Sequence, residues 1–254
     1  MEPVLRVQNL AKTFSRGGQT GLSAVNGISF DLMPGECLGI IGESGSGKTT
    51  AANLIARLLD ATAGKIFLDG EDITEMSGRA LRGVYRKMQM VFQSPSDSFD
   101  PRRTLGDGIA ESLINNGVSK KDARQEAGRL LEMCGLPSGF AGRYPHEVSG
   151  GQCQRAAIAR AIAVKPKLLI CDEATSALDV TAQKGIIELL GALRREQGGR
   201  LSILFISHDI SLVQSFCDRV LVMHRGEIVE QGTPDELICR PQSEYTRRLI
   251  DSVL

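Results

Sequence analysis

The chain has 254 residues, of which 42% are hydrophobic and 24% charged, and its 30 basic residues balance its 30 acidic ones. These values are typical of a soluble globular protein with one large domain or two small ones. A net charge of zero argues against nucleic acid as a partner, because phosphate-backbone binders usually carry a basic excess. The sequence shows neither an apolar run near the roughly 18 residues of a membrane helix nor a signal-peptide pattern. We therefore expect a cytosolic chain, unless a partner holds it at a membrane.

Short strands are predicted in the first part of the chain. Residues 4–10 and 28–32 alternate between apolar and polar side chains, and residues 37–41 form an apolar run suited to a buried strand. Residues 49–59 then have helical composition. Between about Pro101 and Val164 the strand signals vanish and helices dominate, so we expect a helical insertion in a sheet-forming chain.

Helix starts and strands can be assigned further along the chain. Ser119 begins a capping-box pattern that predicts a helix through Cys134, and a second helix is predicted from Gln152 to about Ala163. The remaining predicted elements are strands at 167–171 and 202–207, a helix at about 181–196, a hairpin of 219–223 with 227–230, and a helix start at Thr233. Strands that alternate with helices predict a largely parallel sheet, with the N-terminal strands in a smaller antiparallel sheet beside it.

A glycine-rich loop follows the strand predicted at residues 37–41. Residues 42–49 read Gly-Glu-Ser-Gly-Ser-Gly-Lys-Thr and fit the pattern G-x-x-x-x-G-K-[ST] between a predicted strand and a predicted helix. In such a loop backbone N–H groups face phosphates, Lys48 reaches the β- and γ-phosphates, and the Thr49 hydroxyl ligates Mg²⁺. The alternative is a chance glycine-rich turn, which the flanking strand and helix argue against. The residues predicted to contact ATP here are Gly42, Ser44, Gly45, Ser46, Gly47, Lys48, Thr49 and Thr50.

Two acidic residues end the strand predicted at 167–171. Asp172 is suited to hold Mg²⁺, and Glu173 is a candidate general base for the attacking water. The alternative is that both acids only cap the next helix. His208 and Gln93 also follow predicted strands, and parallel strands end at one edge of a sheet. His208 could therefore sense the γ-phosphate, although a histidine or glutamine at such a position is by itself often only a surface residue.

A second anion site is predicted at residues 148–152, which read Val-Ser-Gly-Gly-Gln and open a helix. A serine hydroxyl and two glycine N–H groups at a helix N-terminus suit a phosphate. The site lies within the helical insertion, remote in sequence from the phosphate loop. We expect Ser149, Gly150, Gly151 and Gln152 to face the nucleotide of a second subunit.

These motifs, in this order, resemble those of the ATP-binding subunit of ABC transporters over nearly the whole chain. Residues 42–49 look like Walker A, Gln93 like the Q-loop glutamine and residues 148–152 like the signature motif. Residues 168–173 look like Walker B, residues 176–179 like the D-loop and His208 like the switch histidine. The resemblance implies ATP and Mg²⁺ as cofactors, with Glu173, His208 and Lys48 catalytic and Thr49, Gln93 and Asp172 around the metal.

The resemblance also implies the architecture. We expect a single α/β ABC-type ATPase domain with a P-loop NTPase core, a mixed and mainly parallel sheet, and an N-terminal antiparallel β subdomain. About 1–100 and 165–254 would form the core, and about 101–164 the helical signature subdomain. Phe14 stands where a tyrosine often stacks on adenine, and the ring face suffices for that contact. The departures at Val148, Cys153 and Ala174 remove no catalytic group, so we expect a competent site.

Within the family, residues 93–102 and 144–147 resemble peptide and nickel importers, and residues 216–220 resemble the second ATPase subunit of nickel or metal-chelate importers. This implies two membrane-spanning permease subunits, a second ATP-binding subunit (a related one or a second copy), and, indirectly, an extracytoplasmic solute-binding protein. The chain would sit peripherally on the cytoplasmic face of the inner membrane. A soluble ABC-type ATPase and an exporter subunit are the alternatives. The cargo stays open between nickel, metal chelates and peptides, because cargo is read by the other subunits.

Overall fold

The computed structural model describes residues 2–16 and 19–252. Within them the strands are β1 (Leu5–Arg16), β2 (Gln19–Leu32), β3 (Cys37–Ile41), β4 (Ala63–Leu68), β5 (Glu71–Asp72), β6 (Met88–Val91), β7 (Leu168–Asp172), β8 (Ser202–Ile206), β9 (Arg219–His224) and β10 (Glu227–Gly232). The helices are α1 (Lys48–Ile55), α2 (Gly78–Lys87), α3 (Leu105–Ile114), α4 (Lys120–Met133), α5 (Gly150–Ile162), α6 (Val180–Glu196), α7 (Ile210–Phe216), α8 (Pro234–Cys239) and α9 (Glu244–Asp251).

The larger sheet has the strand order β10-β9-β3-β8-β7-β6. The strands β9, β3, β8, β7 and β6 are parallel to their neighbours, and β10 pairs antiparallel with β9 as a hairpin. The predicted mixed, mainly parallel sheet is therefore confirmed, and so is the predicted hairpin. Every residue of β3, β7 and β8 is buried, as expected for parallel strands that are covered on both faces.

The smaller sheet is antiparallel, with the order β2-β1-β4-β5. Its central strand β1 pairs Leu5 with Leu32 of β2 on one side and with Leu68 of β4 on the other. Both N-terminal strands are longer than the sequence pattern predicted. The irregular register explains this, because bulges along β1 interrupt the alternation on which the prediction depended.

The core lies on both faces of the larger sheet. Along β3, Cys37 and Ile41 belong to a cluster with α3–α7, whereas Leu38 and Ile40 belong to a cluster with α1 and the antiparallel sheet. This alternation follows from the two-residue period of a strand. The sheet thus holds the phosphate-loop strand between two apolar layers.

Helices α3, α4 and α5 follow one another between the strands β6 and β7. Each begins at a hydroxyl side chain that accepts a hydrogen bond from the third residue after it: Thr104, Ser119 and Ser149. Arg155 of α5 donates to the carbonyl of Cys134 at the end of α4, at 3.0 Å, which joins the two helices. In the described parts of the chain, no helix has the length and apolar character required to cross a bilayer.

Helix α1 is shorter than predicted. It ends at Ile55, whereas the sequence suggested a helix to residue 59. Arg57 adopts the left-handed region, with φ at 57°, and the N–H of Leu58 bonds to the carbonyl of Asn53. This left-handed helix ending is usually made by glycine, so an arginine in its place gave no signal in the sequence.

Candidate active site

Four loops meet at one edge of the larger sheet. The phosphate loop follows β3, Gln93 follows β6, the acids Asp172 and Glu173 lie at the end of β7, and His208 follows β8. All four strands are parallel, so their carboxyl ends lie at the same edge. The sheet topology therefore brings together residues that are up to 166 positions apart in the sequence.

The phosphate loop is wound around the side chain of Lys48, which is 4% exposed. Its ammonium donates to the carbonyls of Gly42 at 2.7 Å and Glu43 at 2.8 Å, and lies 3.4 Å from the hydroxyl of Ser46. Burial lowers the pKa of Lys48, and the nearby carboxylates, above all that of Glu173, oppose the shift.

Two glycines permit the close packing of this loop. Gly42 has φ of 151°, and a Cβ there would lie 2.2 Å from the carbonyl oxygen of Met223. Gly47 has φ of 104°, and a Cβ there would lie 2.3 Å from the carbonyl oxygen of Ala24. The N–H of Gly226 donates to the carbonyl of Ser46 at 2.9 Å, so the β9–β10 hairpin turn also touches the loop. Of the other predicted loop residues, Ser44 and Gly45 are exposed at its tip, and Thr49 and Thr50 lie in the first turn of α1.

Thr49 and Asp172 form the first link between the loop and the acids. The Thr49 hydroxyl donates to Asp172 Oδ1 at 3.2 Å. Asp172 is 5% exposed, and its burial raises the pKa to about 6; the hydrogen bond from Thr49 opposes this shift. The structure thus brings two predicted Mg²⁺ ligands, both with hard oxygen atoms, into contact.

Glu173 lies between the other two predicted groups. Its φ of 47° is uncommon for a residue other than glycine, and it bends the chain directly after Asp172. The Gln93 amide donates to Glu173 Oε2 at 3.0 Å, and His208 Nδ1 lies 3.9 Å from Glu173 Oε1. The hydrogen bond from Gln93 thus orients the Glu173 carboxylate, and the His208 imidazole lies near its other oxygen.

The signature residues begin α5. The Ser149 hydroxyl accepts from the N–H of Gln152 at 3.3 Å, and the Gln152 side chain accepts from the N–H of Ser149 at 3.0 Å. A Cβ on Gly150 would lie 3.7 Å from Leu178, and one on Gly151 would lie 3.4 Å from Ala182. Gly150 and Gly151 thus lie beside the segment after β7 and beside the first turn of α6.

One aromatic residue was predicted to contact adenine, and a second one touches the phosphate loop. Phe14, the predicted adenine contact, is 43% exposed and lies on β1 opposite Leu22 of β2. The ammonium of Lys12 lies 5.3 Å from the centre of the Phe14 ring. Tyr245 of α9 was not identified from the sequence, yet its hydroxyl accepts a hydrogen bond from the N–H of Glu43 at 3.0 Å. The two residues are 202 positions apart, so no local pattern could have linked them.

Comparisons with known proteins show which family the chain belongs to. The sequence profile of the ABC transporter family matches residues 25–176. A putative peptide import ATP-binding protein of Brucella ovis is 43% identical over 99% of this chain and 78% of its own length. The peptidoglycan transport ATP-binding protein YejF of Agrobacterium fabrum is 46% identical over 98% of this chain. The glutathione import ATP-binding protein GsiA of Pectobacterium atrosepticum is 44% identical over 99% of it. This chain spans only 47% of YejF and 41% of GsiA.

Solved structures show the same fold. The dimeric bacterial ABC transporter cassette MJ0796 matches with a TM-score of 0.82 and 30% identity, over 91% of this chain and 98% of its own. CbiO1 from Clostridium perfringens, part of the ABC transporter complex CbiONQ, matches with a TM-score of 0.83 and 27% identity, over 100% of this chain and 96% of its own. The chain therefore belongs to the ABC transporter family and is one of its ATP-binding cassettes, an enzyme that hydrolyses ATP.

Proposed function

We propose that this chain is the ATPase subunit of a membrane importer for peptides or peptide-like compounds. The observation that carries the proposal is the meeting of the phosphate loop with Asp172, Glu173, Gln93 and His208 at one sheet edge. The names of the relatives supply the direction of transport and the class of cargo, since they are import proteins for peptides and glutathione. Those names favour peptides over nickel and metal chelates, which the sequence alone left open as cargo.

Mg²⁺ is proposed to bind beside Thr49 and Asp172, with Gln93 as a further ligand. The residues fit the ion, because a hydroxyl and a carboxylate oxygen already lie 3.2 Å apart at the loop's first helical turn. When bound, Mg²⁺ would neutralise charge on the β- and γ-phosphates. Lys48 would then leave the carbonyls of Gly42 and Glu43 and bind the same phosphates.

Glu173 is proposed as the general base. Its carboxylate lies one residue beyond Asp172 and is 21% exposed, so it is accessible to a water molecule. The Gln93 amide orients one carboxylate oxygen, and the other remains available to accept the proton of the attacking water. His208, close to the same carboxylate, would contact the γ-phosphate and report its presence.

The working unit is proposed to contain two ATPase subunits. Ser149 to Gln152 form a helix N-terminus that suits an anion, they are remote in sequence from the phosphate loop, and Gly150 and Gly151 lie beside Leu178 and Ala182. A head-to-tail pair would place each signature against the nucleotide of the other subunit, with Asp179 at the same interface. The related cassette MJ0796 is dimeric, which supports this arrangement. The second subunit is either a related chain or a second copy.

The surface around residues 93–102 is proposed to meet two membrane-spanning permease subunits, which would hold the chain peripherally at the cytoplasmic face of the inner membrane. Gln93 contacts Glu173 at one end of this segment. Near the other end, Arg160 of α5 donates to the carbonyl of Ser98, and its guanidinium lies over the ring of Phe99, 5.4 Å from the ring centre. The segment thus touches both the catalytic carboxylate and the signature helix. An extracytoplasmic solute-binding protein would act indirectly, and nucleic acid has no part in the proposal.

Glu173→Gln is expected to bind Mg·ATP but to lower turnover about 10²- to 10⁴-fold, because an amide cannot accept the proton of water. Phosphate release by the assembled transporter measures this, with the exposed Glu188→Gln on α6 as the control of unchanged rate. Wild-type turnover in Glu173→Gln would remove Glu173 from its role.

In light scattering, Mg·ATP should convert Glu173→Gln to a dimer, alone or with the related subunit. Adding Ser149→Arg to the same chain should prevent that dimer.

Asp172→Asn is expected to remove a pH dependence from the stability of the nucleotide-free protein. The pKa of Asp172 is raised from 3.8 to about 6, so the folded protein favours the protonated carboxyl. The stability that this proton contributes is complete below about pH 4 and is lost as the pH rises through 6. Asparagine stays neutral and can still accept from Thr49, so the variant should be more stable at pH 8, by on the order of 2 kcal/mol.

Urea unfolding at pH 5 and pH 8 with a chelator present measures the difference. Asp69→Asn is the control of opposite sign, because the hydrogen bond from Lys167 lowers the pKa of Asp69. That variant should be less stable than wild type at both pH 5 and pH 8, because the stabilising contribution of ionised Asp69 is complete above about pH 4 and is lost only at lower pH. A stability gain of Asp172→Asn at pH 5 that disappears at pH 8 would contradict the assigned charge state of Asp172.

Cysteine at position 96 is expected to cross-link to a permease subunit. Ser96 is exposed, whereas the nearby Ser98 is buried. Five of the six native cysteines are buried, so a Cys239→Ser background leaves the introduced thiol as the reactive one. Glu227→Cys, at the far edge of the larger sheet, is the matched control. Cross-links from position 227 and none from position 96 would refute the proposed permease surface.

A further inference from the structure

Helix α9 reaches the phosphate loop through one side chain. Tyr245, 7% exposed, accepts a hydrogen bond from the N–H of Glu43 at 3.0 Å. The carbonyl of the same residue, Glu43, accepts from the Lys48 ammonium at 2.8 Å. The backbone of Glu43 therefore joins Tyr245 on one side to Lys48 on the other.

The ring of Tyr245 is held from both sides. It packs against His224 with 3.9 Å between ring centres and an angle of 33° between the planes. It also belongs to the main apolar cluster, together with Leu249 and Ile250 of the same helix. A phenol ring has only two side-chain torsions, so these contacts fix the direction of its hydroxyl.

The start of α9 is itself attached to the sheet. The carboxylate of Glu230 on β10 accepts from the N–H of Gln242 at 2.8 Å with one oxygen and from the N–H of Ser243 at 2.9 Å with the other. Burial of Glu230 opposes ionisation, but hydrogen bonding outweighs it and lowers the pKa of Glu230, with the bond from Gln242 as the largest contribution, followed by Thr246 and Ser243. The path from β10 through α9 to the loop is thus a continuous set of hydrogen bonds and packed side chains.

We propose that Tyr245 is a positioning residue for the phosphate loop, by which α9 fixes the Glu43 peptide and so holds the loop in its nucleotide-binding form. Helix α9 lies outside residues 25–176, the part of the chain that matches the family profile. The inference depends on nucleotide binding by the loop and is independent of the transported cargo. Without the hydroxyl, the N–H of Glu43 loses its partner and the loop adopts more conformations. The conformation that binds phosphates then makes up a smaller fraction of the population, so the affinity falls.

Tyr245→Phe removes only the hydroxyl, and the ring keeps its contacts in the core. Calorimetric titration of the full chain with Mg²⁺ and a non-hydrolysable ATP analogue should show a Kd about 2- to 10-fold higher than wild type, the loss expected for one hydrogen bond. Tyr85→Phe is the matched control: its hydroxyl donates to the carbonyl of Arg57 at 3.3 Å, beyond the far end of α1. That variant should keep the wild-type Kd.

Amide hydrogen exchange distinguishes positioning of the loop from general destabilisation. In Tyr245→Phe, the amide of Glu43 should exchange faster while the amides of β3 keep wild-type rates. Glu230→Gln, which removes one of the two acceptors at the start of α9, should accelerate the same amide without altering Tyr245 itself. A Tyr245→Phe protein with wild-type Kd, or with an unchanged exchange rate at Glu43, would overturn the proposal.

Discussion

The buried ammonium of Lys48 is the constraint on which the site depends. A charge with 4% exposure must be surrounded by polar partners, and the loop supplies two carbonyls and a hydroxyl. To aim those groups inward, the backbone must adopt positive φ at Gly42 and Gly47 and pack directly on neighbouring strands. In the proposed function the same carbonyls would become free when Lys48 turns to a phosphate. The loop is therefore held in shape by the residue that we propose to bind the phosphates.

The mixed sheet turns this local arrangement into an enzyme site. Its parallel strands deliver Asp172, Glu173, Gln93 and His208 to the edge where the loop begins. Two apolar layers cover the strands and fix their ends, so the polar groups need only short loops to meet. The helices α3, α4 and α5 then add the helix start at Ser149, which we propose faces the nucleotide of a second subunit. The site thus depends on buried strands that present short, polar loops.

Much of the site could be predicted from the sequence, because its motifs are local. The loop at residues 42–49 and the acids 172 and 173 each lie within a few residues, and alternating strands and helices predicted that they would share an edge. What the sequence could not show was long-range contact. Residues 60–87 received no assigned elements, although they hold β4, β5 and α2. The packing of Gly47 on Ala24, and the bond from Glu43 to Tyr245, join residues with no common local pattern.

The most direct test of the account is the affinity of Lys48→Ala for Mg·ATP, measured by calorimetry on protein whose circular dichroism matches wild type. The account predicts binding about 10- to 100-fold weaker, because charge-assisted hydrogen bonds to the phosphates are lost. Lys184→Ala, an exposed lysine on α6, should bind as wild type does. A folded Lys48→Ala protein with unchanged affinity would contradict the claim that the phosphate loop is organised around this ammonium.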